Sequence, residues 1–368
     1  MNDIFRFADE FGPARVIHIH RPSVALRAIV VVDNTACGAA IGGVRMAPDV
    51  SVEECVRLAR AMTWKNAAAG LPHGGGKSVI FADPRIATPA KERLIRAFAN
   101  AIRDVSDYIP GPDMGTNEQC MAWVADETGR AVGLPDVLGG IPLDEVGATG
   151  FGLAASIDVA REFIGLDLNG ARVAIQGFGA VGKHAARFLA KRGAVLVAAS
   201  DTSGTLADTS GLHVDTLIAL KESGHALREY DKGAKLPADA ILDIECDIWI
   251  PAARPDVLRA DNVSRLRVRL MPQGANIPCT LEAEQALHAQ GILVVPDFIA
   301  NAGGVICAAM EYRGGTQHEA FAYTEERIRA NTRAVLEDSQ RNKTLPRAAA
   351  LALAEQRVRK ATGLRRWH

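Results

Sequence analysis

No apolar stretch of this 368-residue chain reaches the roughly 20 residues that a membrane-spanning helix needs, so no transmembrane helix is expected. The six cysteines (Cys37, Cys55, Cys120, Cys246, Cys279, Cys307) are scattered, with no Cys-x-x-Cys pair. That spacing excludes a disulfide framework and a zinc site, and fits free thiols in a reducing cytosol. The histidines lack H-E-x-x-H spacing, so no metal site is expected, and His18 and His20, alternating along a probable strand, read as structural. The net charge is only −1 and no basic block stands out, the terminal Leu364-Arg365-Arg366-Trp367-His368 included. Nucleic acid and membrane are therefore not expected partners. The first residues carry Asp3, Asp9 and Glu10 without a long hydrophobic segment, which does not read as a signal peptide, and a cytoplasmic location is expected.

What is present is a chain long enough for two domains, 48% apolar and 23% charged, with no internal repeat. Residues 14–20 and 25–33 are β-branched and read as strands. Ser51 with Glu54 has the spacing of a capping box. It opens a helix carrying Val52, Val56, Ala59 and Met62 at helical spacing and ending near Lys65. The run Gly74-Gly75-Gly76-Lys77-Ser78 reads as a glycine loop before a short strand at Val79-Ile80-Phe81, one that lets backbone approach a ligand closely. Leu94, Ile95, Phe98 and Ile102 stripe a second helix, and Asp113 sits in a Pro/Gly loop before a third, from about Asn117 to Thr128. Two amines, Lys65 and Lys77, with the Asp113 carboxylate around a glycine loop point to chemistry on an anionic substrate. The Gly-Lys-Ser ending resembles a nucleotide-phosphate loop, but Leu71 occupies the place of the required first glycine, so phosphoryl transfer is a weak alternative.

From about residue 146 helices alternate with short apolar strands at Val173-Ala174-Ile175, Val195-Leu196-Val197, Ile248-Trp249-Ile250, Val268-Arg269-Leu270 and residues 292–295. This rhythm indicates an α/β domain with a parallel, doubly wound sheet. Gly177-Phe178-Gly179-Ala180-Val181-Gly182 lies between the first of these strands and a helix, and Asp201 ends the next strand about twenty residues on. That context marks a dinucleotide site, with the pyrophosphate against N–H groups at the helix N-terminus. Asp201 favours NAD, because a carboxylate there binds ribose hydroxyls and repels a 2′-phosphate; Thr202 and Ser203 keep NADP open.

Across nearly its whole length the chain resembles the glutamate/leucine/phenylalanine/valine dehydrogenases. The residues that carry the resemblance are Gly42-Gly43-Val44-Arg45-Met46, Met62-Thr63-Trp64-Lys65-Asn66, Gly74 to Ser78, Gly111-Pro112-Asp113, Ala148-Thr149-Gly150, Gly177 to Gly182, Gly274-Ala275-Asn276 and Ala300-Asn301-Ala302-Gly303-Gly304. The resemblance implies an NAD(P)-dependent homo-oligomeric enzyme that oxidatively deaminates an amino acid. It has an N-terminal α/β substrate and assembly domain (residues 1–145), a Rossmann-like dinucleotide domain (146–324) and a C-terminal helix (325–368) returning to the first. It further implies that Lys65 holds the substrate carboxylate beside Gly75, that Lys77 is catalytic and that Asp113 moves protons. Thr149, Asn276 and Asn301 would line the nicotinamide and amino-acid end.

Three positions depart from the glutamate-specific pattern. Ile41 stands where such enzymes typically have a lysine, Ala308 where they have a serine, and Met62 where they have a glutamine. An unpaired side-chain carboxylate is costly to bury against Ile41 and Ala308, whereas an apolar side chain gains about 0.8 kcal/mol per buried CH₂. An apolar or aromatic amino acid of the leucine, valine or phenylalanine class is therefore expected. Glutamate is the alternative, since Gly111-Pro112-Asp113-Met114, Met121-Ala122-Trp123 and residues 200–211 look like the glutamate branch. A catalytically silent dinucleotide-binding regulatory or assembly protein is the alternative of another class; the intact Lys65, Lys77 and Asp113 set argues against it.

Overall fold

The computed structural model describes residues 5–365; Asp3 and Arg366, Trp367 and His368 of the basic terminus lie outside the described residues. Contacts divide the chain into two units. The first runs to Leu143 and regains the chain at Val305–Ala320 and from Leu351 onward; the second comprises Asp144–Gly304 and Phe321–Ala350.

The first unit holds β1 (Arg15–Arg21), β2 (Leu26–Asn34), β3 (Ala40–Ala47), α1 (Val52–Ala68), β4 (Gly74–Phe81), α2 (Thr88–Ala101), β5 (Tyr108–Pro112) and α3 (Glu118–Thr128). Its sheet runs β1-β2-β4-β3-β5, with β1, β2 and β4 antiparallel and β4, β3 and β5 parallel. The side-chain alternation of β2 makes two cores, since successive residues point to opposite faces. Ile29 and Val31 pack with Val79 against Cys55 and Ala59 of α1. Ala28, Val30 and Val32 pack with Ile80 against Leu94, Ile95 and Phe98 of α2 and Met121 and Val124 of α3. The α1 cap is half of a capping box: Ser51 Oγ accepts from the Glu54 N–H at 3.1 Å, while the Glu54 carboxylate pairs with Arg45.

The glycine run is not a loop. Gly74 to Ser78 begin β4, which is hydrogen-bonded between β2 and β3. None of the three glycines has a positive φ. Their role is close approach. A Cβ on Gly74 would lie 1.7 Å from the Asn34 carbonyl oxygen, one on Gly75 2.0 Å from the Thr63 nitrogen in α1, and one on Gly76 2.9 Å from the Tyr108 ring. Gly75→Ala would push a methyl into helix backbone, which cannot rotate aside. It is expected to destabilise the protein by about 3 kcal/mol, measured by urea unfolding. Gly179→Ala, where a Cβ would meet nothing within 4 Å, should leave stability unchanged in the same assay.

After α4 (Leu143–Val146) the second unit contains α5 (Ala148–Ala160), β6 (Arg172–Gln176), α6 (Ala180–Ala190), β7 (Val195–Asp201), β8 (Gly204–Ala207), α7 (Val214–Glu222), β9 (Ala234–Leu236) and β10 (Ile248–Pro251). Then follow β11 (Leu270–Pro272), α8 (Leu281–Ala289), β12 (Leu293–Val295), α9 (Asp297–Ala300), and α10 (Gly303–Tyr312), α11 (Gln317–Asn342) and α12 (Pro346–Thr362), which run through both units. The sheet order is β12-β11-β10-β6-β7-β8-β9. The first five strands are parallel, as in a Rossmann-like domain, and β8 and β9 add an antiparallel edge not foreseen in the sequence.

The C-terminal stretch differs from the expected single return to the first domain. Residues 321–350 belong to the second unit, held there by specific contacts. Phe321 stacks on Phe151 with ring centroids 4.7 Å apart, and Arg329 pairs with Asp158 at 2.6 Å. Arg347 reaches Glu284 at 2.7 Å and Asp297 at 2.9 Å. Only from Leu351 does the chain join the first unit, where Arg357 donates to the Ala67 carbonyl at 2.9 Å.

Candidate active site

In the first unit the strands bring Lys77 and Asp113 together. Lys77 lies on β4, 5% exposed, with its Nζ 3.0 Å from Asp113 Oδ1. Asp113 is the first residue past β5, and its backbone N–H donates to Thr116 Oγ1, which in turn donates to the Val44 carbonyl of β3. The second carboxylate oxygen, Oδ2, accepts from Arg45 Nε at 2.7 Å, and Arg45 Nη1 donates to Glu54 Oε1 at 2.5 Å. The result is a chain of alternating charges, Lys77–Asp113–Arg45–Glu54. Burial works against the Asp113 charge, but the Lys77 and Arg45 cations outweigh it and hold the carboxyl below its ordinary range. A Cβ on Gly43 would lie 2.7 Å from Asp113 Cβ and 3.2 Å from Lys77 Nζ, so this glycine keeps the space beside the ion pair open. Arg45 appears in the sequence only as part of a motif and Glu54 only as a cap. Both are named by the structure as partners of the site.

Lys65 is half-buried in the last turn of α1. That turn is pinned on both sides. Thr63 Oγ1 donates to the buried Asp33 carboxylate at 2.5 Å and Arg60 Nε pairs with it at 2.9 Å. Asn66 Nδ2 donates to the Gly74 carbonyl at 2.7 Å. Because Gly75 lies against Thr63 backbone, the Lys65 turn is set on the same strand that carries Lys77. Ile41, 3% exposed on β3, is the register partner of Gly75. Met62 is half-buried beside Thr63. Ala308, 6% exposed on α10, precedes Tyr312 by one turn and shares its face. The Tyr312 ring meets His73, next to the glycine run, edge-on at 6.0 Å.

In the second unit the Gly177 to Gly182 loop has the shape a pyrophosphate requires. Gly177 has φ +95°, and a Cβ there would strike Ala253 at 2.6 Å. Its N–H and that of Phe178, whose side chain is buried, donate to the Ser200 carbonyl at 3.0 and 2.8 Å. Gly182 lets α6 pack onto the loop, since a Cβ would lie 1.9 Å from the Gly177 oxygen. At Gly179 there is open space, and α6, starting Ala180-Val181, has no side-chain cap. Its first N–H groups therefore form a cradle suited to phosphate oxygens. Asn301 Nδ2 lies within 3.1–3.3 Å of the Gly274 and Ala275 carbonyls and Asn276 Oδ1. Its own Oδ1 is buried without a partner, an acceptor fitted to a carboxamide or ammonium donor. Thr149 belongs to the same corner: a Cβ on Gly304 would lie 3.1 Å from its Oγ1. These residues fit a nicotinamide dinucleotide. Asp201 ends β7 facing inward, its carboxylate bound by Ser203, Lys221 and the Leu227 N–H.

The sequence profile of the glutamate/leucine/phenylalanine/valine dehydrogenases matches residues 139–366, and that of the Glu/Leu/Phe/Val dehydrogenase dimerisation domain matches residues 13–130. The chain is 39% identical over 358 residues to a glutamate dehydrogenase of Aeropyrum pernix, covering 91% of this chain and 85% of that one. It is 39% identical over 293 residues to an NADP-specific glutamate dehydrogenase of Saccharolobus shibatae, covering 76% and 69%. Among solved structures it is similar to a hetero-hexameric glutamate dehydrogenase from Thermus thermophilus in a Leu-bound form. That match has a TM-score of 0.87 at 30% identity, covering 96% of this chain and 90% of that one.

Proposed function

Because the chain belongs to the glutamate/leucine/phenylalanine/valine dehydrogenase family, and is thus an NAD(P)-dependent amino acid dehydrogenase acting on a CH–NH₂ donor, we propose that its substrate is an L-amino acid with an apolar or aromatic side chain. The observation that carries this reading is Ile41, buried on β3 opposite Gly75, where a glutamate-binding cation would stand. With Ala308 and Met62 it offers carbon and sulfur surface to the substrate side chain, not charge. Glutamate is the second reading, favoured by the relatives that carry that name.

Lys65 pairs with the substrate carboxylate and fixes Cα in place. A nicotinamide dinucleotide held by the Gly177 to Gly182 loop would supply the acceptor for the hydride of Cα. Loss of that hydride, and of one ammonium proton to solvent, leaves an iminium. Lys77, after passing a proton to Asp113 across their 3.0 Å contact, takes a proton from the water that attacks that carbon. Asp113 returns that proton to the departing nitrogen, and Arg45 holds its carboxylate in line throughout. The products are the 2-oxo acid, ammonium, the reduced dinucleotide and one proton.

The first unit supplies these substrate groups and the second binds the dinucleotide. The exposed outer edge of β1, which pairs only with β2 among the described strands, supports association into a homo-oligomer through the first unit. Six cysteines, none of them in a disulfide among the described residues, support a cytoplasmic location. Among the described residues no helix is long and apolar enough to cross a membrane.

A stoichiometry assay tests the reaction. One ammonium and one reduced dinucleotide should appear per 2-oxo acid formed from leucine, valine or phenylalanine. Dinucleotide binding with no turnover of any amino acid would identify a silent binding protein instead.

A further inference from the structure

The carboxylate of Asp201 has no acceptor capacity left. Oδ1 accepts from the Ser203 N–H at 2.8 Å and the Ser203 hydroxyl at 2.5 Å. Oδ2 accepts from Lys221 Nζ at 2.8 Å and the Leu227 N–H at 3.0 Å. An ionised carboxylate offers about four lone-pair sites, so these four donors fill it. Its side chain is 10% exposed. A ribose hydroxyl arriving at the end of β7 would have to displace one of these partners. The Lys221 ammonium also offsets the charge by which an acidic residue here turns a 2′-phosphate away.

Directly beside Ser203 lies a hollow of about 260 Å³ lined by Ser203, Gly204, Thr205, Arg228, Lys235 and Leu236, with Pro237 at its edge. Two cations converge on it from separate elements. Arg228 follows Leu227 in the segment that closes over Asp201, and its N–H lies 3.4 Å from Ser203 Oγ. Lys235 comes from β9, paired with Leu206 of β8. Neither the Arg228 guanidinium nor the Lys235 ammonium has a hydrogen bond or ion pair among the described residues. Two exposed cations alone would be ordinary solvated surface. Two unpaired cations on one hollow, bordering the turn that follows Asp201, form a site for a dianionic group.

We propose that this hollow takes the 2′-phosphate of NADP, held by Arg228 and Lys235, and that the chain binds NADP in preference to NAD. The proposal rests on the dehydrogenase reading only for the presence of a dinucleotide. Lys221 and Ser203 act as positioning residues: they turn the Asp201 carboxylate inward and neutralise it. The hollow takes the ester phosphate, while the pyrophosphate stays with the Gly177 to Gly182 loop.

The test is binding without an amino acid, by titrating the full chain with NADPH and with NADH and following reduced-nicotinamide fluorescence. The Kd for NADPH should lie at least about tenfold below that for NADH, as expected for one or more charge-assisted contacts. The Arg228→Ala/Lys235→Ala variant should weaken NADPH by roughly a hundredfold and change NADH by no more than about twofold. Arg228→Lys should lose less NADPH affinity than Arg228→Ala, and 2′-AMP should displace NADPH better than 5′-AMP. NADH binding as tightly as NADPH, or NADPH affinity unmoved by the double variant, would overturn the assignment and leave the dehydrogenase reading standing. Binding of neither dinucleotide would remove the cofactor premise, and the proposal with it.

Discussion

Lys77→Ala is expected to lower kcat by about a thousandfold while leaving dinucleotide affinity unchanged, because positioned proton transfer contributes roughly 10²–10⁴ to such reactions. Lys77 is nearly buried, its ammonium touches Asp113 at 3.0 Å, and Gly43 leaves the space beside the pair open. The lysine thus has one proton partner and an unfilled flank. Asp113→Asn keeps the shape of the side chain but removes the acceptor, and leaves Lys77 and Arg45 facing a neutral amide. Its kcat should fall by a similar factor. Circular dichroism and urea unfolding separate a chemical defect from misfolding. Near-normal turnover in either variant would remove that residue from the proton path.

The second large effect is a change of substrate. Ile41→Lys with Ala308→Ser is expected to raise kcat/KM for glutamate by about a hundredfold or more and to lower it for the apolar substrate by a comparable factor. The cost of leaving a buried carboxylate unpaired, or of setting a new ammonium against an apolar side chain, is several kcal/mol in either direction. Ile41 is the effective lever because its strand register places it across from Gly75, beside the α1 end that carries Lys65. Ala308 is the supporting one, on the face of α10 whose Tyr312 meets His73. No gain on glutamate in a folded, dinucleotide-binding variant would mean that the side-chain pocket is built from other residues.

The elements most legible in the sequence were those with a strong local signature. α1 has its Ser51 cap and apolar stripe, and the β6–α6 turn has its glycines and the acidic residue ending β7. The glycine run misled because glycine reads as punctuation. Here it is a central strand whose missing Cβ atoms admit the Thr63 backbone and the Tyr108 ring, a requirement set by residues at least 11 positions away in sequence. β8 and β9 were hidden for another reason: four- and three-residue strands carry too few alternations to show a period. Lys65, Lys77 and Asp113 stood out as two amines and a carboxylate around the glycine run, the family resemblance implied their roles, and the structure adds the contact between the last two. Arg45 and Glu54 were missed because an arginine in a strand and a glutamate in a helix's first turn have ordinary solvated explanations. Only the fold puts Arg45 against Asp113 and Glu54 against Arg45. The filling of Asp201 by four donors could not be read at all, since Lys221 and Leu227 lie 20 and 26 residues beyond it.

We propose that the proton machinery of an amino acid dehydrogenase here serves a side chain without charge. The most direct test is kcat/KM of the unaltered protein for leucine, valine, phenylalanine and glutamate, each with NAD and with NADP, read from absorbance of the reduced dinucleotide. At least one apolar or aromatic substrate should exceed glutamate by about a hundredfold or more, the discrimination expected when a distal carboxylate has no partner in its pocket. Strong turnover of glutamate with none of the other three would contradict the account.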